Sequence, residues 1–238
     1  MTPILHICID FETAALGERA AILSVAAVPF LLPSDNPSNH ANGGELSDDD
    51  LELTDRYEEI ADRIAQLEPF HKFINATSCV MAGMDFDPDT VKFWANQPDE
   101  AKLQFAAADY VSVRTAFELL VVWLSSIKSD LHCDLRLWCQ GTDFDIPKLR
   151  YCCTTLLSLD EKELPWKYYQ VCDARSYCLE NLALLFGRKE GNKAIYADIP
   201  QNDAGDWDRH SALGDAQRTA YNVRQVNRML MERCYKQG

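Results

Sequence analysis

The stretch Ile4-Leu5-His6-Ile7-Cys8-Ile9-Asp10-Phe11-Glu12-Thr13 constrains this chain more than any other. Apolar residues fall on both faces of an extended segment, which predicts a strand at the centre of a sheet covered on both sides. The strand ends in two carboxylates. Side chains alternate along a strand, so Asp10 and Glu12 point to the same side. Two carboxylates held that close repel each other unless a proton or a cation lies between them. Hard divalent cations such as Mg²⁺ or Mn²⁺ take oxygen ligands and suit the pair. An isolated D-x-E at a strand end is more often simply solvated, so its meaning depends on matching residues further along.

With 238 residues, 47% of them hydrophobic, the chain is expected to fold as one α/β domain over 1–238. No run approaches the ~18 apolar residues of a membrane span, and no basic segment precedes an apolar one at the start. A soluble, cytoplasmic protein is expected. The nine cysteines include no C-x-x-C pair and lie mostly in apolar segments, so they read as reduced, buried small hydrophobes. The net charge of −14 is uneven: residues 34–68 carry −9 and the remaining 203 residues only −5. Such local acidity leaves a nucleic-acid partner open.

In chain order, a second strand is expected over Ala20–Leu32, hairpinned to the first. Residues 33–50 read as a mobile Pro/Asn/Gly/Asp-rich loop. Thr54 or Asp55 is expected to cap a helix whose apolar face holds Tyr57, Ile60, Ala61, Ile64 and Leu67. Residues 34–68 thus read as an acidic loop-helix insertion, either a plain solvated one or one that repels strands near a nucleic-acid path. Phe70–Ile74 is a third strand. Helices follow at 87–94, with Pro88 early, and at 112–127, whose stripe Val113, Ala116, Phe117, Leu120, Val121, Leu124 and Ile127 reads as core. Leu135–Cys139 and Lys167–Cys172 read as strands, with helices from 141 to about 157 and from 174 to 186. A polar loop at 187–209 precedes a last helix at 211–235. Strands alternating with helices argue for an α/β fold with a central mixed five-stranded sheet flanked by helices.

The matching residues then appear. Asp145 lies just past a strand, with Gly141 expected to permit close backbone approach, and His210-Ser211-Ala212-Leu213-Gly214-Asp215 puts a histidine at a helix entrance and an aspartate one turn in. D-x-E, then F-D, then H-x4-D resembles the DEDDh 3′–5′ exonucleases, which include the proofreading exonucleases and ribonuclease T on a ribonuclease H-like fold. The segments D-P-D-T-V-K-F-W-A-N-Q (87–97), L-W-C-Q-G-T-D-F-D (137–145), P-W (165–166) and D-A-R (173–175) are similar to a branch holding phage exonuclease A, phage exodeoxyribonuclease VIII-like proteins and a mycobacterial 3′–5′ exoribonuclease. Cys139 and Gln140 stand where that branch has Gly-Asn.

The resemblance implies that Asp10, Glu12, Asp145 and Asp215 hold two divalent cations, Mg²⁺ or Mn²⁺, with His210 as general base. Single-stranded DNA or RNA is the implied substrate, nucleoside 5′-monophosphates the product, and a homodimer the analogous assembly. Phe11 and Thr13 are carried over as substrate-binding positions, although Phe11 falls on the opposite face of an extended strand. Asp143 reads as a turn cap, and Asp173 with Arg175 as a structural pair. His6 reads as core, as do Trp94, Trp138 and Trp166. Two other readings compete. A haloacid-dehalogenase-like phosphatase needs D-x-D after its first strand, and Glu12 breaks that pattern. A catalytically inactive nucleic-acid-binding or scaffolding module on the same fold is the non-enzymatic alternative, yet such relics usually lose a carboxylate or the histidine, and all five are present.

Overall fold

A computed structural model of the chain describes residues 2–40, 45–105, 109–188, 190, 196–201, 204–205, 207–208 and 210–235. The strands are β1 (Ile4–Thr13), β2 (Ile22–Phe30), β3 (Phe70–Ile74), β4 (Tyr110–Val111), β5 (Asp134–Cys139) and β6 (Val171–Asp173). They form one mixed sheet in the order β4-β3-β2-β1-β5-β6. β1 pairs antiparallel with β2 and parallel with β5, so it lies at the centre. The order and the flanking helices are consistent with a ribonuclease H-like fold. The sheet has six strands where the sequence predicts five. The extra one, β4, is two residues long, too short to register as an alternating pattern, and it pairs with the end of β3.

The alternation along β1 feeds two cores. Leu5, Ile7, Ile9 and Phe11 enter one with Ala116, Phe117, Leu120 and Leu124 of α5 (Val113–Asp130). Cys8 enters the other, with Trp138, Ala174 and Cys178 of α7 (Ala174–Phe186) and Ala212, Ala216 and Ala220 of α8 (Ala212–Tyr235). Alanines on this face of α8 let the helix lie close to β1 and β2. Burying each large apolar side chain of β1 contributes about 1.5–3 kcal/mol, which fixes the strand's register because a one-residue slip would reverse both faces.

Several boundaries differ from the sequence reading. The helix expected from Thr54 or Asp55 begins earlier, as α1 (Asp48–Ala65), capped by Ser47, whose hydroxyl accepts the Asp50 amide. The acids at 48–50 look like loop composition, yet they suit the positive end of a helix dipole. Residues 33–40 are not a free loop. They form 3₁₀ turns at Pro33–Asp35 and Pro37–His40, while residues 41–44 of the expected loop lie outside those described. α6 (Thr142–Arg150) passes into a π-helical turn at Tyr151–Leu156. Tyr168–Gln170 is a 3₁₀ turn, so only Val171–Asp173 of the strand expected there is extended. The other helices are α2 (Ala76–Met81), α3 (Pro88–Ala95) and α4 (Asp99–Leu103). The polar loop expected at 187–209 lies partly outside the described residues. The cysteines are all unpaired, and seven of the nine are buried.

His6 is a core residue, as expected, and fully enclosed. The Trp138 indole donates to its Nδ1 at 2.7 Å, which leaves Nε2–H to donate to Asp35 at 2.6 Å. This chain of bonds ties the acidic segment to the start of β1, and Tyr57 of α1 adds a bond to the Leu32 carbonyl. A cavity there is lined by Pro3, Ile4, Asp35, Asp50 and Tyr57. The Asp35 end of the acidic segment therefore sits at the opposite end of β1 from Asp10 and Glu12. Six residues of strand, about 20 Å, separate His6 from Glu12. That distance is well beyond the ~10 Å screening length in 0.1 M salt, so the charge of Asp35 is largely screened at Glu12.

Removing one partner from a buried hydrogen bond leaves the other unsatisfied. Asp35→Ala is expected to destabilise the protein by about 1–3 kcal/mol. A urea titration checks this, with a lowered midpoint and an unchanged slope as the expected result.

Candidate active site

Asp10 and Glu12 lie at the end of β1, opposite Ala26 and Ser24 of β2. These small residues leave space around the carboxylates. The pairing with β5 has ended by Cys8–Trp138, so the two acids project beyond it. The register shifts between Glu12 and Thr13, an irregularity of the kind that re-aims side chains at sites. Ser24 Oγ, directly across from Glu12, is buried with no hydrogen-bond partner among the described residues.

α8 completes the group. Its first turn carries Asp215, and oxygens of Asp10, Glu12 and Asp215 lie within 4.8 Å of one another. Asp145, buried in the first turn of α6, stands outside this trio but is close enough to push the carboxyls of both Asp10 and Glu12 upward. Burial is the larger cause for each. It takes Asp10 well above the ordinary carboxylate range, against the pull of Arg218, and Glu12 to about 7. Asp145 also rises to about 7, chiefly through burial, with Lys148 and Arg175 opposing. A cluster of mutually repelling, desolvated oxygens is a donor set that fits a hard divalent cation.

The ends of α6 and α7 share one cap. Asp173 accepts the amides of Thr142 at 2.8 Å and Ser176 at 2.6 Å, and these bonds hold its carboxyl below the usual range although burial pushes it up. Asp173, expected to form a structural pair with Arg175, acts chiefly as this double cap, which fixes the start of the helix carrying Asp145. Gly141 is extended rather than left-handed, and a Cβ there would meet Asp143 Oδ1 only at 3.4 Å, so close approach does not require glycine. One turn after Asp145, the ammonium of buried Lys148 donates to the carbonyls of Leu16 at 3.0 Å and Phe144 at 2.8 Å. It also sits 3.2 Å from the centre of the Phe144 ring. Burial draws it down to about 8, against Asp145 and Asp143.

His210 is exposed at the entrance to α8, with a left-handed backbone (φ 58°) that side chains other than glycine seldom adopt. Gln104 donates to its carbonyl at 2.6 Å, and the ring of Phe93 stands edge-on to the imidazole at 5.7 Å. The expected H-x4-D spacing depends on Gly214, because a Cβ there would lie 2.2 Å from the Asp208 carbonyl oxygen. His210, Asp10 and Asp215 line one cleft of about 630 Å³, together with Gln140, Arg218 and Asn222.

The two remaining candidates are spent within the protein. Phe11 is 4% exposed and stacks on Phe117 at 5.9 Å, so its ring is closed to a ligand. The Thr13 hydroxyl donates to the Ala15 carbonyl at 2.8 Å, and the Thr13 carbonyl accepts the Trp94 indole at 2.9 Å. Trp138 and Trp166 are buried; Trp94 is half-buried. The sequence reading missed Lys148, Arg218, Phe93 and Gln104. Arg218 was legible, since three residues after Asp215 it must share its helix face. Gln104 and His210 are 106 residues apart, and no local pattern joins them.

Compared with known families, residues 5–227 match the 3'-5' exoribonuclease Rv2179c-like domain. A search of curated proteins finds no match.

The raised carboxyls carry a pH signature. Glu12 moves from 4.5 to about 7, and Asp145 from 3.8 to about 7. Between about pH 4.5 and 7 the cation-free folded state therefore holds protons that the unfolded chain has released, and its stability is expected to fall as pH rises through that window. Mn²⁺ is expected to offset the loss at the upper end. Denaturation midpoints across this range, in EDTA and in Mn²⁺, check both trends.

Proposed function

The chain belongs to the family of the 3'-5' exoribonuclease Rv2179c-like domain, and from that premise we propose that it is a DEDDh-type 3′–5′ exonuclease releasing nucleoside 5′-monophosphates from single-stranded RNA. The observation that carries the reading is the meeting of Asp10, Glu12 and Asp215 within 4.8 Å, in a cleft that His210 also lines. The family match supplies the reaction class. The donor chemistry supports a cofactor of two divalent cations, Mg²⁺ or Mn²⁺, for which Asp10, Glu12 and Asp215 would be ligands together with the neighbouring Asp145. When bound, such ions polarise the phosphoryl oxygen and lower the pKa of a water.

The protein's own groups do the rest. His210 accepts the proton of the attacking water, a role suited to an imidazole because its ordinary pKa lies near neutrality. Its exposure leaves it open to solvent and substrate, while Gln104 and Phe93 restrict where it can stand. The Trp94 bond to Thr13 anchors α3 beside the carboxylates, so one short helix braces both the strand end and the histidine.

A 5′-labelled RNA incubated with Mg²⁺ or Mn²⁺ is expected to give a ladder shortening from the 3′ end, with 5′-monophosphates released. A terminal 3′-phosphate should block it. Cleavage of a circular single strand would overturn the reading. Asp10→Ala is expected to abolish turnover and weaken Mn²⁺ binding. His210→Ala should cut turnover by ~10²–10⁴ while leaving Mn²⁺ binding intact, the usual worth of a general base. Gln104→Ala should lower turnover by less than His210→Ala, again without changing Mn²⁺ affinity. Calorimetric Mn²⁺ titrations beside single-turnover rates distinguish these roles.

A further inference from the structure

The cleft beside the carboxylates continues along α8. Asp215, Arg218, Thr219 and Asn222 line it at spacings of three, four and seven residues, which places them on one helix face. Gln140 and Tyr196 are on the wall as well. The Gln140 amide donates to the Tyr196 hydroxyl at 3.2 Å, and its oxygen faces the Thr219 hydroxyl at 3.4 Å. Gln140 is one of the two positions where this chain departs from the branch it resembles, and here its side chain shapes a polar, uncharged wall. Arg218 is the one lysine or arginine among the described residues lining the cleft. Its guanidinium bonds Asp215, one of the three acids that converge.

We propose that Arg218 is a partner-exchanging phosphate ligand: it holds Asp215 while the acids lack a cation, and grips a phosphodiester of a bound strand once they hold one. The inference rests on the exonuclease reading. A divalent cation among Asp10, Glu12 and Asp215 takes over the charge that Asp215 offers Arg218. The guanidinium then faces a positive centre and gains by turning to another anion. A nucleic-acid strand in the cleft brings one, and the planar guanidinium fork matches phosphate oxygens in a bidentate way. Thr219 and Asn222 extend the same face beyond Asp215 with neutral groups, which do not repel the strand's backbone.

The test is the salt dependence of binding, followed by the anisotropy of a short 5′-fluorescein single-stranded RNA. Ca²⁺ is supplied as a carboxylate-binding cation, and the RNA is verified intact on a gel. In Ca²⁺, Arg218→Gln is expected to weaken binding by about 10- to 100-fold, the range for a hydrogen bond to a charged group. It should also reduce the slope of log K against log salt by about 0.7, the value for one phosphate contact on a single strand. Arg218→Lys, which keeps the charge, should retain the slope. In EDTA, wild type and Arg218→Gln should bind alike. Asn222→Asp leaves the Asp215 pair intact and puts a carboxylate on the same face, so it too should weaken binding in Ca²⁺. Equal slopes for wild type and Arg218→Gln in Ca²⁺ would overturn the phosphate role while leaving the exonuclease reading standing. Equal weakening in EDTA and Ca²⁺ would overturn the exchange. Wild-type protein that neither binds nor shortens RNA would remove the exonuclease reading, and this inference with it.

Discussion

Repulsion among carboxylates withdrawn from water is the constraint on which the rest of this structure depends. Asp10, Glu12 and Asp215 converge, and Asp145 adds its field from α6. Left to itself, such a group would splay into solvent or protonate. The fold prevents splaying by rigidity. β1 is clamped between two cores, and its neighbours opposite the acids are alanine and serine. It answers the charge in part with its own cations. Arg218 bonds Asp215, and Lys148 and Arg175 oppose the rise of Asp145. What remains is a demand for further positive charge, and its oxygen donors are of the kind that suits a hard divalent cation.

The helices matter less for their bodies than for their ends. Asp145 and Asp215 both sit in first turns, where the dipole favours a carboxylate. One aspartate, Asp173, caps α6 and α7 together, so the two helices start at a fixed separation. The turn into α8 closes tightly because Gly214 has no Cβ to meet the Asp208 carbonyl. α3 and the residue after α4 then reach across to this turn through Phe93 and Gln104. A left-handed histidine backbone costs conformational energy, and contacts from a distant segment are the means by which such a residue is held.

The acidic segment takes its meaning from position. Its charge alone suggests a device for repelling nucleic acid, but the Trp138–His6–Asp35 chain ties it to the start of β1. There Asp35 has a specific partner, and the acids at 48–50 begin a helix whose Ile60 is buried in the core. Eight of the segment's eleven acids therefore belong to one amphipathic helix, three of them in its first turn.

The chain order alone made much of this legible. The alternation of β1 determines which side chains face which core, and it places Asp10 and Glu12 together because a strand's period is two. The α5 stripe, Pro88 at the start of α3 and the start of α7 follow from similarly local rules. Helix starts at Ser47 and the two-residue β4 escaped, the first because acids resemble loop composition, the second because two residues carry no period. What only the tertiary structure decided are the relations between distant elements. It brought Asp215 to Asp10 and Glu12 while leaving Asp145 to one side. It buried the ring of Phe11, and it set Gln104 against His210 across 106 residues. Periodicity and capping act within a few residues of chain, whereas the spacing of charges across a sheet depends on how closely the helices approach it. That approach is set by packing, here by the alanines of α8, and no local pattern records the distance.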